Sequence, residues 1–213
     1  QKIGKEIRSK VDGKTLFDEF SRGRYSTDAS VYQIKPLGVV LPKDTNDVLS
    51  LMEYSQKNSV PLLARGGGSS QCGQTVGESV VLDYSKHQNK ILELNVEEKY
   101  VWVQPGVVLD HLNDYLKPHG LWFPVDVSTS SRATIGGMSA NNSCGSRSLY
   151  YGNMVHNVLA IEAILDDGSI FQFDQINKNY LATKNNQDRL YKIIDKFIDV
   201  RPVSYTHLRA HET

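Results

Sequence analysis

Short runs of hydrophobic residues, separated by polar turns, predict alternating strands and helices in the first half of the chain. Two apolar runs, at residues 38–41 and 60–64, are typical of buried strands. Between them, apolar residues recur at helical spacing from Val48 to Tyr54, and Asp44 is placed to cap a helix that runs to about residue 58. The order strand, helix, strand predicts a parallel βαβ unit.

The same patterns predict further elements along the chain. Helical spacing indicates helices at residues 3–9, 15–20, 108–116 and 190–198. Gly120 is expected at the C-terminal cap of the third of these helices. Apolar runs that are typical of strands lie at residues 80–84, 91–95, 100–104, 158–165 and 169–173. An Asp-Gly pair at residues 167–168 predicts a hairpin between the last two runs.

Residues 65–74, which we call the glycine loop, follow the second predicted strand and begin with the sequence RGGGSS. Three consecutive glycines at a strand end can direct several backbone N–H groups at one anion. Ser69 and Ser70 add hydroxyl donors, and Arg65 adds positive charge near the rim of the loop. The loop is therefore interpreted as a pyrophosphate site, with a plain tight turn as the alternative. It matches neither the Walker A pattern nor the Rossmann fingerprint.

Residues 124–152, which we call the cradle, are rich in Ser, Thr and Gly and carry almost no charge. No helical or strand periodicity persists in this segment, so an irregular conformation is expected. Its hydroxyl and amide groups can bind a ligand, and its glycines allow close backbone approach. A disordered linker is the alternative, but apolar residues interleave with the polar ones, which favours an ordered ligand-binding segment: Ile135, Met138, Ala140, Leu149 and Tyr151.

Composition and charge narrow the possible partners and locations. The chain has 213 residues, of which 39% are hydrophobic, enough for a core. Its 24 basic and 24 acidic residues give a formal net charge of zero, so no nucleic-acid partner is expected. No apolar run has membrane-spanning length and no signal-peptide pattern opens the chain. A cytoplasmic location is expected, with peripheral association at the inner face of the membrane as the alternative.

The glycine loop and the cradle together resemble the FAD-binding domain of the vanillyl-alcohol oxidase and p-cresol methylhydroxylase (PCMH-type) superfamily, over roughly residues 27–173. The resemblance is carried by RGGGSS at 65–70, QPG at 104–106, P-x-D at 124–126, ATIGG at 133–137, NN at 141–142, S-x-x-Y-G at 148–152 and NV at 157–158. Within the superfamily, residues 131–165 are most similar to bacterial FAD-linked D-2-hydroxy-acid dehydrogenases of the glycolate, D-lactate and D-2-hydroxyglutarate group. The longer members of that group are fused to an iron–sulfur module.

The resemblance implies an α+β fold, a PCMH-type FAD-binding domain of two α+β lobes with FAD between them. Residues 1–30 would form a helical lead-in, residues 31–118 the first lobe and residues 119–200 an incomplete second lobe. Residues 201–213, including His207 and His211, are expected to be a non-native or disordered tail. The chain is expected to be a fragment that lacks the substrate-binding cap domain.

The resemblance also implies a set of cofactor-binding residues. FAD is expected to be bound non-covalently, since the glycine loop offers serines where covalent members often carry His. The residues expected at FAD in and near the glycine loop are Arg65, Gly66, Gly67, Gly68, Ser69, Ser70, Gly73, Gln74, Pro105 and Gly106. Those expected in and after the cradle are Pro124, Asp126, Ser128, Ser131, Ala133, Thr134, Gly136, Gly137, Asn141, Asn142, Gly145, Ser148, Tyr151, Gly152 and Val158. No catalytic or metal-binding residue is expected in this chain.

The function implied by the resemblance is oxidation of a small D-2-hydroxy acid, of the 2-hydroxyglutarate or lactate type, by hydride transfer to flavin N5. Electrons would then pass to iron–sulfur centres in a C-terminal continuation or to another acceptor. The alternative is a non-catalytic flavin-binding or electron-transfer subunit of a larger complex.

Four side chains near the two segments have structural interpretations. Cys72 and Cys144 are expected to be small buried residues that fill tight turns. His156 is expected to be a hydrogen-bonded structural residue rather than a base. Asp126 is expected to accept hydrogen bonds from backbone N–H groups of the cradle.

Overall fold

The computed structural model describes residues 2–174 of the chain. Described residues up to Gln172 form one compact unit, and Phe173 is the first residue of a second. The predicted helix at residues 190–198 and the predicted tail at residues 201–213 lie outside the described residues. The division into a lead-in, two lobes and a tail stays a prediction.

The N-terminal region differs in part from its predicted structure. Helix α1 (Lys2–Arg8) confirms the helix predicted at residues 3–9. The helix predicted at residues 15–20 is wrong, because strand β1 (Lys14–Leu16) and helix α2 (Glu19–Arg24) divide that segment. The Asp18 side chain caps α2 by accepting the Ser21 N–H at 2.9 Å. Pairing of β1 with a distant strand outweighs the local helical spacing.

A four-stranded sheet carries the glycine loop. It contains β1, β2 (Gly38–Leu41), β3 (Leu62–Arg65) and β4 (Val80–Asp83), in the spatial order β1-β2-β4-β3. Both β2 and β3 run parallel to β4, which confirms the predicted parallel arrangement, and β1 is antiparallel to β2. Strand β3 is only partly buried, whereas β2 and β4 are fully buried. The prediction of a buried strand there is wrong, because β3 lies at the sheet edge.

Helix α3 (Thr45–Asn58) connects β2 to β3 and confirms the predicted helix and its cap. The Asp44 carboxylate accepts the N–H groups of Asn46 at 2.9 Å and Asp47 at 3.2 Å. The helix ends at Asn58, and its C-cap residue, Ser59, has a φ of 52°. One core cluster joins α1, α3 and the sheet through buried residues: Ile7, Val40, Val48, Leu51, Tyr54, Val60, Val80 and Leu82.

A second core cluster supports the cradle. Strands β5 (Ile91–Asn95) and β6 (Tyr100–Val103) pair antiparallel and precede helix α4 (Leu109–Leu116). A short 3-10 helix (Lys117–His119) follows, and Gly120 caps it with a φ of 70°, so the predicted cap lies one turn beyond α4. The cluster is formed by buried residues of the connecting segment, α4 and the cradle region: Val107, Leu109, Leu112, Leu116, Val125, Ala133, Ile135, Met138 and Met154.

The cradle and the residues after it contain more regular structure than predicted. Helices α5 (Ile135–Ala140) and α6 (Ser148–Tyr151) lie within the cradle, and α7 (Met154–Asn157) follows it. They have four to six residues each, which is too short for a periodicity to be visible in the sequence.

Two strands end the described part of the chain. Strand β7 (Ile161–Ile164) is shorter than the run predicted at residues 158–165, and β8 (Ile170–Phe173) pairs with it. The turn between them confirms the predicted hairpin, with Gly168 at a φ of 82° and the Leu165 N–H bonded to the Ser169 carbonyl at 2.8 Å.

Candidate functional site

The glycine loop packs directly against the cradle. It begins at the C-terminal end of β3, and a Cβ atom at Gly66 would collide with the Thr134 hydroxyl oxygen. A Cβ atom at Gly67 would collide with the backbone carbonyl oxygen of Arg132. Glycine is therefore required here because two backbone segments approach closely. The structure thus brings together two segments that lie more than sixty residues apart in sequence.

A row of backbone donors lies along the glycine loop. Within residues 2–174, no acceptor is in hydrogen-bonding geometry with the N–H groups of residues 66–71, whereas the Cys72 N–H donates to the Ser70 hydroxyl at 3.2 Å. Gly68 has a φ of 64°, in the left-handed region. A left-handed residue among ordinary ones turns the N–H groups on either side of it toward one point, as in an anion-binding nest. Ser69 and Ser70 are half-buried beside these donors.

Arg65, which the sequence places near the rim of the loop, is bound to three backbone carbonyl groups. Its guanidinium donates to the backbone carbonyl oxygens of Thr27 at 2.8 Å, Thr75 at 3.2 Å and Tyr25 at 3.4 Å. Its carbon Cζ lies 5.2 Å from the centre of the Tyr25 ring. Burial lowers the pKa of Arg65, and the nearby Asp83 carboxylate opposes that shift.

The Pro105-Gly106 pair is joined to the cradle by one backbone hydrogen bond. The N–H of Gly136 donates to the Pro105 carbonyl at 2.9 Å, and a Cβ atom at Gly136 would lie 2.5 Å from the Pro105 Cβ. The Gly106 N–H donates to the Gln88 carbonyl at 2.7 Å.

Thr134 begins α5 in the same part of the cradle. It is 2% exposed, and its hydroxyl caps the helix by accepting the N–H of the exposed Gly137 at 3.4 Å. Its neighbour Ala133 is buried, and the Ala133 carbonyl accepts the Leu109 N–H at 3.0 Å.

Side chains also connect the glycine loop to the cradle. Gln74 Nε2 donates to Asn141 Oδ1 at 3.0 Å, across 67 positions of sequence. The adjacent Asn142, with a φ of 45°, accepts the Val155 N–H at 3.0 Å. At Gly73, with a φ of 77°, the Tyr32 ring occupies the space that a Cβ atom would need. The predicted residues from 65 to 74 and from 133 to 142 therefore form one group.

Three other predicted residues of the cradle form a second group: Asp126, Gly145 and Ser148. Asp126 accepts the Ser146 hydroxyl at 2.7 Å and the Arg147 N–H at 3.0 Å, which confirms its predicted role. These two bonds lower the pKa of the Asp126 carboxyl. The N–H of Gly145 donates to the Ser148 hydroxyl at 2.9 Å. Within the described residues, no hydrogen bond joins this second group to the glycine loop.

The remaining predicted residues lie at the edges of these groups. The Tyr151 ring meets Trp122 edge-on at 5.2 Å, and Gly152 has a φ of 80°. The Val158 N–H donates to the carbonyl of Met154. Pro124 is half-buried, and two serines are exposed: Ser128 and Ser131.

Predictions were made for three further side chains, of which one is confirmed and two are wrong. His156 Nδ1 accepts the Asn153 N–H at 3.0 Å and so caps α7, which confirms a structural role. Both Cys72 and Cys144 are exposed, so the prediction of buried cysteines is wrong. Each lies outside the helices and strands, between a polar residue and a glycine.

Sequence reasoning missed the contribution of the segment before β2. The Thr75 hydroxyl donates to Asp28 Oδ2 at 3.0 Å, next to the Arg65–Thr27 bond. The Tyr32 ring lies against Gly73 on the same side of the loop. Nothing in the local pattern of a polar turn indicates such contacts, because they join residues 38 or more positions apart.

The part of the chain that the structure describes shows neither a metal cluster nor a membrane span. No three His, Cys, Asp or Glu side chains of these residues are grouped closely enough to hold a metal ion. None of their helices has the length and apolar character needed to cross a bilayer.

Comparison with known proteins identifies relatives over most of the described region. The sequence model of the FAD binding domain family matches residues 36–174, more than half of the chain. D-2-hydroxyglutarate dehydrogenase of Haemophilus influenzae is 42% identical over 155 residues, which are 71% of this chain but only 15% of that protein. The mitochondrial D-lactate dehydrogenase (cytochrome) of Kluyveromyces lactis is 40% identical over 64% of this chain and 24% of that protein.

Solved structures give the same fold. The wild-type BBE-like 1 protein of Physcomitrella patens has a TM-score of 0.70 and 20% identity, over 88% of this chain and 39% of that chain. The predicted α+β fold of the PCMH type and the predicted resemblance to FAD-linked D-2-hydroxy-acid dehydrogenases are confirmed.

Proposed function

This chain belongs to the FAD binding domain family, and from that premise we propose that it holds FAD non-covalently between its glycine loop and its cradle. The observation that carries the proposal is the row of six backbone N–H groups, at residues 66–71, that have no acceptor among the described residues. FAD brings a doubly charged pyrophosphate, and such a nest of donors matches that charge. The residues present therefore fit this cofactor.

The cradle supplies groups that suit the rest of the cofactor. The exposed side chains of Ser128, Ser131, Asn141 and Asn142 offer hydroxyl and amide groups. We assign them to the ribityl hydroxyls and the adenine, and we assign the glycine loop to the pyrophosphate. The remaining predicted site residues are assigned to shaping these two segments, as Thr134, Asp126 and Gly136 do through their backbone contacts.

Purified protein is expected to bind one FAD per chain and to release it on denaturation. Acid precipitation followed by filtration should leave the yellow colour in the filtrate, because no covalent bond holds the flavin. A yellow pellet with a colourless filtrate would contradict non-covalent binding. A protein that neither contains flavin nor quenches the fluorescence of added FAD would refute the proposed function itself.

We further propose that the substrate of the longer polypeptide is a D-2-hydroxy acid. The name of the Haemophilus influenzae relative supports D-2-hydroxyglutarate, and the name of the Kluyveromyces lactis relative makes D-lactate the second candidate. Bound FAD would accept the substrate α-hydrogen as hydride at flavin N5, while a base takes the hydroxyl proton and a 2-oxo acid forms. Iron–sulfur centres or another acceptor would then remove the two electrons. The expected cytoplasmic location stays a prediction.

The substrate class is tested on the longest reading frame that contains this chain. Under anaerobic conditions, D-2-hydroxyglutarate is expected to bleach the flavin absorbance faster than D-lactate does, and the L-enantiomers should leave it oxidised. Equal bleaching by both enantiomers would contradict the assigned stereochemistry. A flavoprotein that no 2-hydroxy acid reduces would instead support the non-catalytic alternative.

A further inference from the structure

We propose that Arg65 is a positioning residue that holds the glycine loop in its anion-binding shape without contacting the anion. The inference rests on the proposed function, because it concerns the loop assigned to the FAD pyrophosphate. The sequence suggests the opposite role, in which an arginine beside three glycines contributes its charge to the phosphate. The contacts of the guanidinium decide between these two roles.

Arg65 closes the base of the loop. It is the first residue of the glycine loop, and Thr75 directly follows the last one. The bond from Arg65 Nη1 to the Thr75 carbonyl, at 3.2 Å, therefore joins the two ends of the loop. The bond from Nη2 to the Thr27 carbonyl, at 2.8 Å, fastens both ends to the preceding segment. Because all its acceptors are backbone carbonyls, the bracing does not depend on the side chains at positions 25, 27 and 75.

The positive charge of the Arg65 guanidinium is partly compensated by groups of the protein itself. The guanidinium lies over the Tyr25 ring, whose hydroxyl donates to the buried carboxylate of Asp83 at 2.6 Å. Asp28, which accepts the Thr75 hydroxyl, is a second carboxylate that acts on Arg65. Three carbonyl oxygens thus accept from one guanidinium and two carboxylates act on its charge from a longer distance, so less of that charge is left to attract a phosphate.

The same guanidinium supports the middle of the loop. A Cβ atom at Gly68 would lie 2.9 Å from Arg65 Cζ, so the left-handed residue of the nest rests directly on the Arg65 side chain. Only a planar guanidinium group, with its several N–H donors, can donate to three carbonyls and at the same time present a flat face to Gly68. A lysine at this position would keep the charge and lose that geometry.

The test compares Arg65→Lys and Arg65→Ala with the unchanged protein in FAD titrations at several salt concentrations. Both variants are expected to bind FAD at least about tenfold more weakly, the loss typical of removing charge-assisted hydrogen bonds. The salt dependence of binding should stay unchanged, because no charge–phosphate contact has been removed. Full affinity in Arg65→Lys, or a flattened salt dependence in Arg65→Ala, would show a direct phosphate contact and overturn the proposal.

Two further measurements separate bracing from general destabilisation. Methylguanidinium should restore FAD binding to Arg65→Ala and methylammonium should not, because only the former reproduces the planar fork. In the FAD-free protein, Arg65→Lys should speed hydrogen exchange of the Cys72 and Val76 amides, which donate to the Ser70 hydroxyl and the Gly73 carbonyl, while the exchange of β4 stays slow. Unchanged exchange at these two amides would contradict the proposal even if that variant bound FAD poorly.

Arg24→Ala is the matched control. Arg24 is exposed and lies next to Tyr25. Its replacement by alanine removes the same single positive charge without changing a residue of the glycine loop. Its FAD affinity should equal that of the unchanged protein. If the unchanged protein itself binds no FAD, the proposed function fails; if it binds FAD and the Arg65 variants match it, only the bracing role fails.

Discussion

Replacing Gly67 by alanine is expected to abolish measurable FAD binding and to destabilise the fold. The added Cβ would collide with the Arg132 carbonyl oxygen and would lie 2.9 Å from its carbon. Both atoms belong to the cradle backbone, so no side-chain rotation relieves the overlap. Overpacking of this kind costs about 1–3 kcal/mol. Separating the loop from the cradle would also displace the N–H row, and we expect FAD affinity to fall by at least about a hundredfold, roughly 3 kcal/mol.

Gly77→Ala is the matched control for this substitution. It adds the same atom to a glycine shortly after the glycine loop, where the new Cβ would lie 3.5 Å from Leu63 Cδ2 in ordinary contact. Flavin fluorescence quenching and urea unfolding should therefore give near-native values for this variant. Native FAD affinity in Gly67→Ala would show that the loop does not bind the pyrophosphate while it is packed against the cradle.

The position of the glycine loop could be predicted from sequence, but its packing could not. The strand–helix–strand pattern places the loop at the end of β3, because period and capping signals are local. Gly66 and Gly67, in contrast, meet residues 132–134, and nothing in either segment specifies the other. The contacts of Arg65 could not be predicted for the same reason, since two of its three acceptors lie at residues 25 and 27.

Other differences have equally local causes. The prediction of a helix at residues 15–20 overlooked Asp18, whose side chain caps α2, so that the helix begins at Glu19, four residues later than expected. Helix α5 was missed although Thr134 is a favoured N-cap type, because six residues with two glycines lack an amphipathic pattern. Asp126 was predicted correctly, since a lone carboxylate among Ser and Gly residues has few partners other than backbone N–H groups and hydroxyls.

Replacing Asp47 by alanine is expected to cause the largest loss of stability, at least about 3 kcal/mol in the free energy of unfolding. Asp47 is only 4% exposed. Its carboxylate accepts hydrogen bonds from three backbone N–H groups, those of Asp12 at 2.7 Å, Gly13 at 2.9 Å and Lys43 at 2.7 Å. A hydrogen bond to a charged group contributes about 1.5–3 kcal/mol, and donors that lose it inside the protein stay unsatisfied. The residues before β1 would lose their attachment to α3.

Urea unfolding of Asp47→Ala, Asp47→Asn and Asp44→Ala tests this expectation. Asp44→Ala removes an exposed N-cap from the same helix and should cost only about 1 kcal/mol. Asp47→Asn keeps one acceptor oxygen but cannot serve all three donors, so its loss should fall between those of the two alanine variants. A loss in Asp47→Ala no greater than that in Asp44→Ala would contradict the argument. Because none of the three donors lies in the glycine loop or the cradle, the folded Asp47→Ala protein should bind FAD with native affinity, whereas Gly67→Ala should not.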